Sequence, residues 1–140
     1  MGSKLKIGVF GAYRGKIMID ALLSHPDAEL VAVCDKFEPA LDIIRREAEE
    51  KKVKVALYRT FDEFIKHDMD AVVLANYANE HAVYAIRCLN AGKHVMSEVL
   101  PAESMSQYVE LIETVERTGL VYTYAENNAL LLLILFQILR

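Results

Sequence analysis

The order of residues over the first 35 positions constrains this chain most. An apolar run, Lys6-Ile7-Gly8-Val9-Phe10, leads into Gly11-Ala12-Tyr13-Arg14-Gly15, and a second run, Glu29-Leu30-Val31-Ala32-Val33-Cys34, ends at Asp35. A buried strand that delivers the chain to a tight glycine turn, and through it to a helix, leaves backbone N–H groups facing the space beyond the strand tip. That is a ready place for a phosphate. A carboxylate about 20 residues further on, at the tip of the neighbouring strand, is placed for ribose hydroxyls. The order predicts a dinucleotide site, with Gly11, Ala12, Tyr13, Arg14 and Gly15 around a pyrophosphate and Asp35 on the adenosine ribose.

The rest of the chain repeats the alternation of short β-branched runs with longer helical segments, which marks parallel strands joined by crossover helices. Strands are predicted at 5–10, 29–34, 55–58, 70–75, 94–97 and 120–124, and helices at 15–24, 38–51, 61–66, 79–91 and 104–118. Ser24-His25-Pro26-Asp27 stops the first helix, and Gly92 and Gly119 close the fourth and fifth. The expected fold is α/β, a doubly wound parallel sheet of six strands in the Rossmann manner, occupying residues 1–127.

A different composition follows. Residues 129–140 read Ala-Leu-Leu-Leu-Leu-Ile-Leu-Phe-Gln-Ile-Leu-Arg, with Gln137 and Arg140 the only polar members. A bilayer span needs about 20 apolar residues, so this run predicts no membrane crossing. It predicts instead an apolar C-terminal helix over 128–140, buried against a partner copy in a homodimer, or against the sixth strand's edge. The formal net charge of −4, with Lys and Arg dispersed, argues against a nucleic-acid partner. Cys34 and Cys88 sit in apolar runs with no metal-ligand spacing. No metal is expected, and reduced thiols behind an N-terminus without a secretory signal suggest a cytoplasmic setting.

Three segments together carry a resemblance: Ile7-Gly8-Val9-Phe10-Gly11, His25-Pro26-Asp27-Ala28-Glu29-Leu30-Val31-Ala32-Val33-Cys34-Asp35, and Ala91-Gly92-Lys93-His94-Val95 through Glu98. Across about residues 5–127 the chain resembles the nucleotide-binding half of the glucose–fructose oxidoreductase and inositol dehydrogenase family of NAD(P)-dependent oxidoreductases. The resemblance implies a Rossmann domain followed by a substrate-holding α/β domain, for which these 140 residues leave no room. It also implies cofactor contacts from Asn76 and Tyr77, which stand in the family's Thr-Pro-Asn segment, and from Glu98 at the tip of the fifth strand.

Departures from the family pattern bear on chemistry. Tyr13 stands near the place of the middle glycine of G-x-G-x-x-G, whose role is to let the backbone approach the pyrophosphate. The family's Glu-Lys-Pro reads Glu98-Val99-Leu100, so valine replaces a lysine that positions substrate and assists proton transfer. The family's later Asp and His have no counterpart before Arg140. No catalytic residue is therefore assigned. Asp35 favours NAD through the ribose 2′-hydroxyl, while Lys36 could balance a 2′-phosphate, which ranks NAD ahead of NADP. Three functions stay open: an oxidoreductase domain for a sugar-like or polyol substrate, inactive as this isolated chain; a non-catalytic, self-associating dinucleotide-binding module; and a piece of an NAD-dependent glycosidase.

Overall fold

The computed structural model describes residues 4–125. Six strands form one parallel sheet: β1 Leu5–Phe10, β2 Ala28–Cys34, β3 Ala56–Tyr58, β4 Ala71–Leu74, β5 His94–Glu98 and β6 Tyr122–Ala125. Five helices connect them: α1 Lys16–Leu22, α2 Glu38–Glu50, α3 Phe61–Phe64, α4 His81–Asn90 and α5 Met105–Thr118. The strand order is β3-β2-β1-β4-β5-β6, so the chain winds outward from β1 first one way and then the other. Both neighbours of β1 pair with it in parallel, Phe10 opposite Cys34 on one side and opposite Leu74 on the other.

Side chains alternate across each strand, and the sheet separates two cores accordingly. Val9, Val33 and Val73 face α1 and α2, where Ile19, Leu41 and Ile44 pack against them. Phe10, Cys34, Val72 and Leu74 face the other way, with Phe61, Phe64, Ala85, Cys88 and Leu111 from α3, α4 and α5. Because both faces are covered, the central strands read as continuous apolar runs rather than alternating ones. Gly8 makes room within this second core, since a Cβ there would come within 2.8 Å of Phe64 Cζ.

Of the boundaries that differ from the sequence reading, two have a visible cause in the structure. The fourth helix is preceded by a separate 3₁₀ turn, Ala78–Glu80, after Tyr77 in an extended conformation. The sixth strand begins at Tyr122 rather than Leu120, because the Val121 N–H donates to the His94 side-chain Nδ1 at 2.9 Å. The helix anticipated over 128–140 lies outside the described residues. No helix among the described residues is long and apolar enough to cross a membrane.

Candidate functional site

The strand order reverses at β1, and the tips of β1, β2 and β4 open a crevice there. Open parallel sheets hold ligands at such reversals. Gly11 leaves β1 with φ +102°, a conformation side-chain-bearing residues rarely adopt, and a Cβ on it would overlap the Ala75 carbonyl beyond β4. The Gly11 N–H donates to the Cys34 carbonyl at 2.9 Å, tying the turn to β2. Gly15 donates to the Gly11 carbonyl at 2.9 Å and begins α1, and a Cβ on it would lie 2.6 Å from that same oxygen. Both glycines thus meet a steric requirement of the turn. Tyr13, between them, is 79% exposed, so its side chain stands off the turn instead of filling it.

Asp35 follows β2 and joins three segments. Its Oδ2 accepts from the backbone N–H of Ala12 at 2.7 Å and of Tyr13 at 3.4 Å, and its Oδ1 accepts from Phe37 N–H at 2.9 Å. Its own N–H donates to the Tyr58 carbonyl at 3.1 Å, which fixes it against β3. Hydrogen bonds to a carboxylate are worth about 1.5–3 kcal/mol each, so this one side chain holds the glycine turn and the β2–α2 loop in register.

The crevice has a volume of about 540 Å³. Phe10, Gly11, Tyr13 and Arg14 form its floor and one end; Asp35, Lys36 and Phe37 line the β2 side; Ala75, Asn76, Tyr77 and Glu80 line the β4 side. Seven residues expected from the sequence therefore meet in one place: Gly11, Tyr13, Arg14, Asp35, Lys36, Asn76 and Tyr77. Ala12 is buried and contributes its N–H to Asp35, while Gly15 lies beneath at the head of α1. Glu98 ends β5 beside Ala125 of β6 and is not among the residues lining this crevice. Phe37 and Glu80 belong to it without having been singled out. The signal for Phe37 was an apolar residue two positions after Asp35, at the mouth of a helix.

Two observations test whether the crevice suits a dinucleotide. Arg14 and Lys36 are exposed on its lining, and neither makes an ion pair among the described residues, which leaves both cations for phosphate. Asn76 donates through Nδ2 to Glu80 Oε2 at 3.1 Å, yet its Oδ1 is buried with no partner, an acceptor waiting for a donor at the β4 wall. The residues fit the group. Cys34, adjoining Asp35, is no nucleophile: burial, reinforced by the Asp35 charge, pushes its thiol up to about 12. His81 is buried at the start of α4 and donates through Nδ1 to the Leu100 carbonyl at 2.9 Å, which makes it a tether for the β5–α5 loop rather than part of the crevice. No cluster of three or more His, Cys, Asp or Glu among the described residues could hold a metal ion.

Known proteins are similar to this chain in sequence and in fold. A 4-carboxy-2-hydroxymuconate-6-semialdehyde dehydrogenase of Sphingobium is 34% identical over 118 residues, which are 79% of this chain and 34% of the relative. An α-N-acetylgalactosaminidase of Shewanella oneidensis is 27% identical over 121 residues, 81% of this chain and 26% of that protein. The crystal structure of scyllo-inositol dehydrogenase from Lactobacillus casei, solved with NAD(H) and scyllo-inositol, superposes with a TM-score of 0.79 at 26% identity, over 88% of this chain and 36% of that one. The chain thus spans between a quarter and about a third of the length of these proteins. The profile of an oxidoreductase family with an NAD-binding Rossmann fold, the one the three sequence segments resemble, matches residues 5–126. Matched over nearly all of its described length, the chain belongs to that family and carries its NAD-binding domain.

Proposed function

We propose that the chain is the nucleotide-binding part of an NAD(P)-dependent oxidoreductase acting on a sugar-like or polyol substrate, and that it turns over no such substrate by itself. The observation that carries the reading is Asp35, whose carboxylate braces the glycine turn at the mouth of the crevice. There it would accept hydrogen bonds from the adenosine ribose hydroxyls. Arg14 would face the pyrophosphate, Gly11 would let the ligand lie close to the backbone, and Asn76 would offer Oδ1 to the nicotinamide-ribose half. When bound, the cofactor supplies hydride exchange at the nicotinamide C4. The chain's residues bind and orient it.

Val99 supports the silence of the isolated chain. It stands at the family's lysine, and valine cannot move a proton; general acid–base help of that kind contributes about 10²–10⁴-fold. The family resemblance implies a separate substrate-holding domain, which would supply orientation, and this chain covers only 36% of the scyllo-inositol dehydrogenase chain. Assayed with NAD⁺ across polyols and sugars, the purified chain is expected to produce no NADH above background, with Val99→Lys giving no rescue. Sustained turnover would contradict this.

For binding, isothermal titration is expected to give tighter affinity for NADH than for NADPH, because Asp35 accepts a 2′-hydroxyl and repels a 2′-phosphate. Asp35→Ala should weaken NADH binding by at least about tenfold, the equivalent of one charged hydrogen bond. Unchanged affinity would remove Asp35 from the site, and tighter NADPH would reverse the cofactor ranking. The glycosidase relative supports a second reading, a domain of an NAD-dependent glycosidase, which would share the cofactor-binding step and differ in the net reaction, hydrolysis of a glycosidic bond in place of oxidation. The apolar run 129–140, outside the described residues, is proposed to join two copies of the chain.

A further inference from the structure

Helix α5 carries apolar side chains on two faces. Leu111 is buried toward the sheet, whereas Met105, Val109 and Ile112 stand in water at 77%, 49% and 55% exposure. Their spacing of i, i+4 and i+7 makes one stripe along the helix, and Glu116, at i+11, continues it. A surface helix ordinarily keeps its apolar stripe for the core. Ile112 and Glu116 also line a groove of about 580 Å³ between α5 and β6, with Tyr108, Val115, Tyr122 and Tyr124 among its other walls. β6 is the edge strand, and no described element follows it to cover the groove.

The chain supplies a matching segment. β5 and β6 run parallel, with Glu98 opposite Ala125, so β6 ends at the end of the sheet from which α5 sets out. A segment that leaves Ala125 and returns along the sheet as a helix would run beside α5 in the same direction. The connecting residues 126–128 reach about 10 Å, enough for the separation of two packed helices. Within 129–140, Ala129, Leu133, Phe136 and Arg140 repeat the spacing i, i+4, i+7 and i+11. Laid alongside α5, they pair in order with Met105, Val109, Ile112 and Glu116. The small residue falls opposite a long one, and the single charge of the run falls opposite a carboxylate that makes no ion pair among the described residues.

We infer that the groove between α5 and β6 is the seat of residues 129–140 of the same chain, with Phe136 against Ile112 and Arg140 against Glu116. The inference is independent of the dinucleotide reading. Because the run is apolar on every side, one stripe fills the groove and the opposite one, Leu131, Leu135 and Ile138, is left for the second copy proposed above.

Disulfide trapping in the full chain tests the seat. Ile112→Cys combined with Phe136→Cys, oxidised with copper phenanthroline, should give an intrachain bond: monomer mass on a non-reducing gel, with the bond located by peptide mass mapping. Cys34 and Cys88 are buried and should stay reduced. Ile43→Cys with Phe136→Cys, which places the first thiol on α2 across the sheet, should give no such bond. Adding Glu116→Arg to the first pair should slow trapping by about two- to fivefold, and adding Arg140→Glu as well should restore it. Val109→Cys with Leu133→Cys, one turn nearer the start of α5, repeats the test if the first pair lowers the melting temperature. Covalent dimers in place of the intrachain bond would assign the groove to the partner copy's run and overturn the inference. Equal trapping by the α5 and α2 pairs would overturn it too. Light scattering reads association separately, so an intrachain bond in a monomeric chain would keep the seat and refute the dimer.

Discussion

Gly11 is where one missing carbon atom decides the most. A Cβ there faces two penalties, the φ of +102° and overlap with the Ala75 backbone, whereas Gly92, at φ +78° with nothing within 4 Å, faces only the first. Gly92→Ala should cost about 1–3 kcal/mol, the usual price of a strained backbone conformation. Gly11→Ala should cost clearly more in urea unfolding, and equal losses would mean the crevice floor is less crowded than described. The cysteines give a second residue-scale outcome. Burial pushes the Cys34 and Cys88 thiols to about 12, so neither should react with a thiol reagent in the native protein at pH 8, and both should react once it is unfolded. An unfolded thiol ionises near pH 8.5 and a folded one only near 12, so the unfolded state holds fewer protons between them. Their contribution to stability is whole below pH 8.5 and falls as pH rises through that window. Rapid labelling of native protein would contradict the burial.

At the scale of elements, α5 shows what can be read ahead of a structure. Ser104 caps it, accepting from Gln107 N–H at 3.3 Å while the Gln107 side chain returns to the Ser104 N–H, and Gly119 ends it at φ +66°. Ser104→Ala should cost about 1 kcal/mol and lower the melting temperature by about 2–5 °C, with Gln107→Ala acting on the same box. No change in either variant would show that the cap does not stabilise the helix. The Gly119 end was legible because Gly acts on the backbone locally, while Ser104, expected as the first helical residue, proves to be the cap. The same holds for Gly11 and Gly15, which make the turn, whereas the bracing of that turn by Asp35, expected only as a ribose ligand, is seen first in the structure. Phe37 and Glu80 were harder to foresee. They meet only because β1 lies between β2 and β4, an adjacency that strand order creates and local pattern does not carry. The start of β6 was hidden for a similar reason, since the His94 side chain that takes the Val121 N–H comes from another strand.

For the whole molecule, the fold brings one crevice to the reversal of strand order, while residues 129–140, proposed to join two copies, lie beyond those described. Leaving such a run in water would forgo about 1.5–3 kcal/mol for each large aliphatic side chain otherwise buried. Light scattering after size exclusion is expected to show a dimer, and removal of residues 129–140 a monomer. A monomeric full chain at high concentration would refute the dimer. The central claim concerns the crevice, and an NADH titration followed by ¹H–¹⁵N correlation spectra tests it most directly. The account predicts saturable shifts that are largest at the amides of Ala12, Tyr13 and Phe37, whose N–H groups bond to Asp35 and must respond when ribose hydroxyls reach that carboxylate. Saturable shifts confined to α5 and β6, with those three amides unmoved, would contradict it.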